Sequence, residues 1–118
     1  MSPAAELLTA QTWQIEEVTM IDNGISDVTY KRGAANNDDD FSLVRQTFKT
    51  DGTITYVDQY GFTGKNGKWK LLENDTKLRL GMGDFSVIVE NVTVSENSFS
   101  YRTMNQEGYA LFKFSPAD

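Results

Sequence analysis

The sequence predicts an all-β fold, an eight-stranded antiparallel up-and-down barrel with a long loop after the first strand. Apolar and polar residues alternate over short stretches, which is typical of strands with one buried face. Turn residues separate these stretches, with Asp51 and Gly52 and then Asn66 and Gly67 as the strongest hairpin signals. No helical pattern of useful length lies between them, which excludes β-α-β units and a parallel sheet.

The first predicted strand runs from about Gln11 to Ile21. Trp13 and Ile15 share one parity, whereas Val18 and Met20 share the other. Because successive strand residues face opposite sides, this change of parity predicts a β-bulge or a sharp bend around residues 16 and 17.

Seven further strands are predicted, at 41–49, 53–60, 68–73, 77–82, 85–94, 98–105 and 109–114. Short turns make consecutive strands antiparallel neighbours, so they form a meander. A meander of this length hides its edges by closing into a barrel or by folding into a sandwich, and tight turns between nearly all neighbours favour the barrel.

The polar segment 22–40 is predicted to be a long loop, and loops of this length are commonly lids, binding loops or disordered segments. Its run Asn36–Asp40 offers clustered oxygen atoms, which calcium prefers. The run lacks the alternating spacing and the distant glutamate of an EF-hand, so a solvated loop is the favoured interpretation and no metal site is predicted.

Composition restricts the function classes. The 118 residues predict a single domain, 1–118, in which 1–9 is an N-terminal extension or a short helical turn.

The net charge of −6 and the scattered basic residues argue against nucleic-acid binding. The absence of cysteine and histidine removes thiol nucleophiles and the usual zinc ligands. No stretch approaches the ~20 apolar residues of a membrane-spanning helix.

Eight large residues are candidates for the barrel interior: Trp13, Ile15, Phe48, Ile54, Tyr56, Trp69, Phe85 and Tyr101. They could line a ligand cavity or simply fill the core, and for Trp13 the core interpretation is favoured. An eight-stranded barrel is just wide enough to be filled by side chains or to hold one small ligand, so both interpretations stay open.

Four segments, in this order, resemble the short bacterial lipocalin-like domains of the calycin superfamily: 7–15 with Trp13, 48–53, 67–71 and 75–80. The resemblance covers about Leu7 to Phe114. It implies a non-enzymatic module that holds a small apolar or lipid-like ligand without a cofactor, with 22–40 as a lid. It also implies a trimmed exported protein of the cell envelope or periplasm, with the cytoplasm as the alternative.

In the related fatty-acid-binding proteins, interior arginines neutralise a ligand carboxylate. Arg45 could do so if Phe41 and Leu43, which share its parity, face inward. If Val44 and Phe48 face inward instead, Arg45 is a surface charge. The surface position is favoured, because a buried unpaired guanidinium is costly.

Two other functions are alternatives to a ligand-holding module. A filled barrel could act as a protein-interaction or structural domain, because the strand Phe85–Val94 looks apolar on both faces. Its outer face would then be covered by the N-terminal turn, a second copy or a partner protein. An enzyme with paired carboxylates is disfavoured, because fold alone licenses no chemistry and the short chain leaves little room for a cleft.

Overall fold

The computed structural model describes residues 1–117, which form one short helix and nine strands. The helix α1 spans Pro3–Thr9. The strands are β1 (Thr12–Asp22), β2 (Ile25–Lys31), β3 (Arg45–Phe48), β4 (Thr53–Val57), β5 (Thr63–Leu72), β6 (Lys77–Met82), β7 (Phe85–Val94), β8 (Phe99–Met104) and β9 (Gly108–Pro116).

β1 closes the barrel. Along one edge it pairs with β9, and along the other its first residues pair with β3 and its later residues with β2. From β3 to β9, each strand pairs with the next in antiparallel orientation. The ring therefore contains eight strands, β1 and β3 to β9, which confirms the predicted up-and-down barrel.

β2 is the extra strand, and it lies inside the segment 22–40 that was expected to be a loop. Asn23 and Gly24 both have positive φ, 50° and 81°, and form the tight turn that returns the chain along β1. Most of β2 is exposed and only Thr29 and Tyr30 are buried, so its sequence carries little of the alternation that marks a strand. The irregular connection is therefore shorter, from residue 32 to residue 44.

The predicted change of parity in β1 is confirmed. The pairing of β1 with β9 shifts register between Ile15 and Glu17. Arg32 occupies the place where β1 changes partner, since its backbone N–H donates to the Glu16 carbonyl at 2.9 Å and its Nε donates to the Ile15 carbonyl at 3.0 Å. The bulge turns Val18 inward after Trp13 and Ile15.

A second bulge corrects the interpretation of β7 as apolar on both faces. Register with β8 shifts between Glu90 and Thr93, and Asn91 has a φ of 53°. Val89 is buried before the bulge, and Val92 and Val94 pack against the core after it. The two apolar parities thus face the same interior, one on each side of the bulge.

Asn66 and Gly67 do not form a hairpin turn, contrary to the prediction. Both lie inside β5, and the reversal before it is the loop 58–62. Gly67 is buried, and a Cβ there would lie 2.5 Å from Cγ2 of Ile54 and 2.9 Å from the Gly81 carbonyl oxygen. This glycine is explained by the close approach of neighbouring strands and not by a turn.

The helix α1 covers one end of the barrel. Ser2 caps it by accepting a hydrogen bond from the Ala5 N–H at 3.2 Å, and Pro3 begins the helix. Leu8 is fully buried, and its carbonyl accepts a hydrogen bond from Trp13 Nε1 at 3.1 Å. The N-terminal residues are therefore part of the core. We call the half of the barrel that α1 covers the closed half.

Candidate ligand cavity

The closed half is filled with aromatic side chains. Phe99 lies at its centre, with its ring centroid 5.5 Å from Trp13, 5.7 Å from Phe48 and 4.9 Å from Phe114. Trp13, Phe48 and Phe99 are all at most 1% exposed. Such packing leaves no room for a ligand, so this half supplies stability.

Four of the predicted interior residues belong to this core. Trp13, Phe48 and Ile54 are buried in it, and Trp69 packs edge-on against Phe48 at 5.6 Å. The Trp69 indole N–H donates to the Lys49 carbonyl at 2.9 Å, so its polar edge lies at the periphery. For Trp13, the core interpretation is the one that the structure supports.

The other end of the barrel holds a cavity of about 410 Å³ that opens to solvent. Three predicted interior residues line it, namely Ile15, Tyr56 and Tyr101. The sequence did not single out most of the other lining residues: Phe41, Val44, Gln46, Val57, Asp58, Gln59, Met82 and Phe112. We call this end the open half of the barrel.

Phe41 forms the wall next to β1 and β9. Its ring packs edge-on between Tyr30 of β2, at 5.7 Å, and Phe112 of β9, at 6.2 Å. Phe41 was expected to begin a strand 41–49 and to share the outward parity of Arg45, but β3 begins only at Arg45. Phe41 lies in the irregular connection before it, where the strand periodicity does not apply. Phe112 could have been found, because it shares its parity with the buried Phe114.

Tyr56 forms the opposite wall. β4 and β5 shift register between Ile54 and Tyr56, and the Tyr56 ring lies across Gly64. A Cβ at Gly64 would collide with the ring, so glycine is the residue that leaves space for it. Tyr56 also lines a groove of about 620 Å³ on the outer surface, so it separates the two spaces.

The outer groove carries Arg45, Lys49 and Lys65. Gln46 and Phe48 are buried, so Arg45 faces outward as the favoured alternative predicted. Its Nη1 donates to the carbonyls of Ser42 at 2.9 Å and Val44 at 2.8 Å. The guanidinium is thereby held on the outside of β3.

Two polar side chains meet inside the cavity. Gln46 and Tyr101 are each 6% exposed, and Gln46 Nε2 donates to Tyr101 Oη at 3.5 Å. Gln46 Oε1 is buried without a hydrogen-bond partner. Burial raises the pKa of Tyr101 to about 12, an effect that the Gln46 hydrogen bond partly opposes. The phenol therefore stays neutral at physiological pH.

The rim of the cavity is a tight loop ordered by Asp58. Its carboxylate accepts hydrogen bonds from the N–H groups of Tyr60 at 2.9 Å and Phe62 at 3.0 Å. Tyr60 and Phe62 in this loop are 73% and 71% exposed. Phe85 begins β7 beside the β6–β7 turn and pairs with the cavity-lining Met82.

Phe85 corrects one predicted site residue, because it is 60% exposed and does not line the cavity. It has the same parity as Val87 and Val89, which face inward. However, it pairs with Met82 at the last rung of the β6–β7 hairpin, beyond the point where the barrel wall encloses the interior. The sequence parity predicted the correct face of β7 for Phe85, but not its position along the barrel axis.

The acidic run 36–40 stabilises the connection between β2 and β3 through local hydrogen bonds. The Asn37 side chain bonds both the N–H and the carbonyl of Lys31. Asp40 accepts hydrogen bonds from Ser42, which hold the pKa of its carboxyl below the usual range. Within residues 1–117, no group of three or more carboxylate, histidine or cysteine side chains is arranged to hold a metal ion.

No helix among residues 1–117 is long and apolar enough to cross a membrane. No protein-family model matches the chain, and no curated protein matches its sequence significantly. The geometry of the cavity is therefore the basis for the proposed function.

Proposed function

We propose that this protein is a non-catalytic binding module that holds one small apolar or amphipathic ligand in the open half of its barrel. The carrying observation is the solvent-open cavity of about 410 Å³, lined mainly by apolar side chains, at the end of the barrel opposite α1. Small-molecule sites are typically concave and lined mainly by apolar side chains with a few polar groups, and this cavity has that character. Its volume falls in the lower part of the range for ligand sites, which is roughly 300–1,000 Å³.

The walls favour an apolar molecule. Phe41, Val44, Met82 and Phe112 present carbon atoms to the cavity, and only a few polar groups interrupt them. At roughly 30 Å³ for each water-sized group, the space suits a ligand of about a dozen non-hydrogen atoms. A medium-length alkyl chain or one or two rings would fit, whereas a long-chain fatty acid would extend into solvent.

Access to the cavity is proposed to depend on the end of the connection between β2 and β3. The lid was expected from 22–40, but Phe41 and Val44, just beyond it, are the residues that line the cavity. Movement of these two side chains would widen the mouth without disturbing a strand, because both precede β3.

Native mass spectrometry of the purified protein, before and after organic extraction, tests the proposal directly. An added mass that extraction removes would support it and would identify the ligand. The extracted protein would then be titrated with medium-chain apolar probes. A bare protein that takes up no probe would contradict the proposal.

A matched pair of variants locates the binding. Val44→Trp would fill the cavity and is expected to weaken probe binding at least about tenfold, which corresponds to 1.4 kcal/mol. Leu43→Trp is the control, because the neighbouring Leu43 is exposed. An equal loss of probe affinity in both variants, or no loss in either, would place binding outside the cavity.

A docking domain is the second candidate, and the exposed aromatic residues at the mouth favour it. Tyr60, Phe62 and Phe85 are each at least 60% exposed. Exposed apolar groups of this kind mark many interaction surfaces. The outer face of β7, considered earlier for a homodimer, offers less, since Ile88 is its exposed large apolar residue before the bulge. A concentration-dependent dimer in sedimentation that Phe62→Ser abolishes would support docking through the mouth.

The cell envelope remains the proposed location, on the resemblance alone. Fractionation of the source cells tests it, and recovery in the soluble cytoplasmic fraction would contradict it.

A further inference from the structure

The polar groups of the cavity define the chemistry of its ligand more closely than the volume does. This inference rests on the proposed binding function. Gln46 on β3 and Tyr101 on β8 lie where the cavity meets the filled half, since Tyr101 also packs against Phe99 and Phe114 at 5.5 and 5.3 Å. The 3.5 Å hydrogen bond between them is at the upper limit of such bonds. Two buried polar groups are thus poorly satisfied.

A buried amide oxygen without a partner is unfavourable, and a ligand that supplies the missing bond gains affinity. Gln46 Oε1 needs a donor, and the Tyr101 hydroxyl has its own proton to donate once it accepts from Gln46 Nε2. A ligand hydroxyl meets both needs, because it donates and accepts. It also fits when the Gln46 amide is rotated by 180°, since one donor and one acceptor still remain.

The lining disfavours an anionic group at the inner end of the cavity. Among the residues that line the cavity none is lysine or arginine, and the one carboxylate belongs to Asp58 at the rim. Arg45, next to Gln46 on β3, faces outward and is bonded to backbone carbonyls. A carboxylate carried into this space would be buried without a counter-ion, which is costly.

We propose that the cavity selects an uncharged ligand with a single hydroxyl group and an apolar part of about a dozen non-hydrogen atoms. The hydroxyl binds between Gln46 and Tyr101 after a small rotation of the Gln46 side chain toward the cavity, because Oε1 has almost no accessible surface in the structure. The apolar part extends past Met82 and Phe41 toward the mouth.

Three probes built on a chain of eight carbon atoms test the selection: 1-octanol, octanoate and octyl methyl ether. Their dissociation constants for the extracted protein would be measured by calorimetry at neutral pH. We expect 1-octanol to bind about tenfold more tightly than the ether, which cannot donate, and than octanoate, which is charged. Octanoate binding as tightly as 1-octanol would overturn the inference but leave the proposed function standing. If none of the three binds, both fail.

Two variants remove the polar groups one at a time. Tyr101→Phe and Gln46→Met are each expected to weaken 1-octanol binding about tenfold and to change ether binding less than about twofold. Tyr109→Phe is the matched control, because the Tyr109 ring lies on β9 beneath the Arg102 guanidinium, 4.2 Å from it. Thermal unfolding checks that each variant is folded. A preference for 1-octanol that survives in both variants would overturn the proposed role of the pair.

Discussion

The two halves of the barrel are built from the same strands and yet differ in what fills them. A step of two residues along β1, β3 or β8 leads from the closed half to the open half. The steps are Trp13 to Ile15, Phe48 to Gln46, and Phe99 to Tyr101. Each covers about 7 Å of strand. Over that distance the interior changes from interlocked aromatic rings to a cavity.

The difference shows how one small domain can combine a stable core with an open site. In the closed half, the rings of three strands meet at Phe99, and Leu8 of α1 covers them. On β3 the inward-facing residue is Gln46 in the open half and Phe48 in the closed half. The end of the open half carries the loop 58–62, whereas the end of the closed half carries α1. The closed half therefore carries most of the burial, whereas the open half leaves a space that side chains do not fill.

Truncation of one ring in each half is the largest test of this division. Phe99→Ala is expected to lower the free energy of unfolding by about 3–5 kcal/mol, because it leaves a cavity among four aromatic neighbours. Phe41→Ala, in the open half, is expected to cost about 1–2 kcal/mol, since Phe41 is half-buried. Urea unfolding measures both. Equal losses would mean that the halves do not differ in stability.

Alkaline pH tests the boundary between the halves. Tyrosine ionises near pH 10 in an unfolded chain, whereas burial raises the pKa of Tyr101 to about 12. The contribution of this neutral phenol is fully present below about pH 10 and is lost as the pH rises toward 12. The shift corresponds to about 2–3 kcal/mol of unfolding free energy.

Urea unfolding between about pH 9 and pH 12 should therefore show a smaller loss for Tyr101→Phe than for the parent protein. Tyr109→Phe serves as the control and should retain the loss attributed to Tyr101. If Tyr101→Phe loses as much stability as the parent, Tyr101 is not the group responsible.

The contact between Tyr56 and Gly64 tests the wall of the open half. Gly64→Ala is expected to cost about 1–3 kcal/mol, because the new methyl group displaces the Tyr56 ring. In a Tyr56→Ala background the same change should cost much less. A double-mutant cycle by thermal unfolding measures this coupling, and purely additive losses would contradict the contact.

The bulge of β7 gives the smallest effect and concerns the closed half. Asn91→Val is expected to cost about 1–2 kcal/mol, since a β-branched residue disfavours a left-handed backbone. Asn91→Gly is the control and should stay within about 0.5 kcal/mol of the parent. Probe affinity should be unchanged in both. A neutral Asn91→Val would show that the bulge does not require this conformation.

Much of the barrel could be predicted because its signals are local. The alternation of Trp13, Ile15 and Val18 predicted the β1 bulge, and Asp51 with Gly52 marked a real turn, in which Gly52 has a φ of 88°. β2 was missed because a strand outside the ring buries only two residues. The hairpin turn predicted at Asn66 and Gly67 was wrong, because an Asn-Gly dipeptide can form a turn or can allow, as here, a close contact between strands.

The candidate site was harder to predict than the fold. Ile15, Tyr56 and Tyr101 were identified, because large residues of inward parity are a reliable guide to the interior. Parity does not give the position along the barrel axis, so Phe85 was placed inside although it lies at the rim. Gln46 was missed, because a glutamine in a strand is ordinarily on the polar face.

The class of fold and many of the inward-facing residues could be predicted from the chain alone, because alternation and turn chemistry act between residues close in the chain. Which inward-facing residues fill the barrel and which leave space depends on the assembled fold. That outcome depends on side chains from β1, β3, β8 and β9 that converge across the interior. It depends equally on α1 covering one end and leaving the other open. The space inside a barrel depends on side chains from strands that are distant in the sequence, so no single stretch of sequence predicts it.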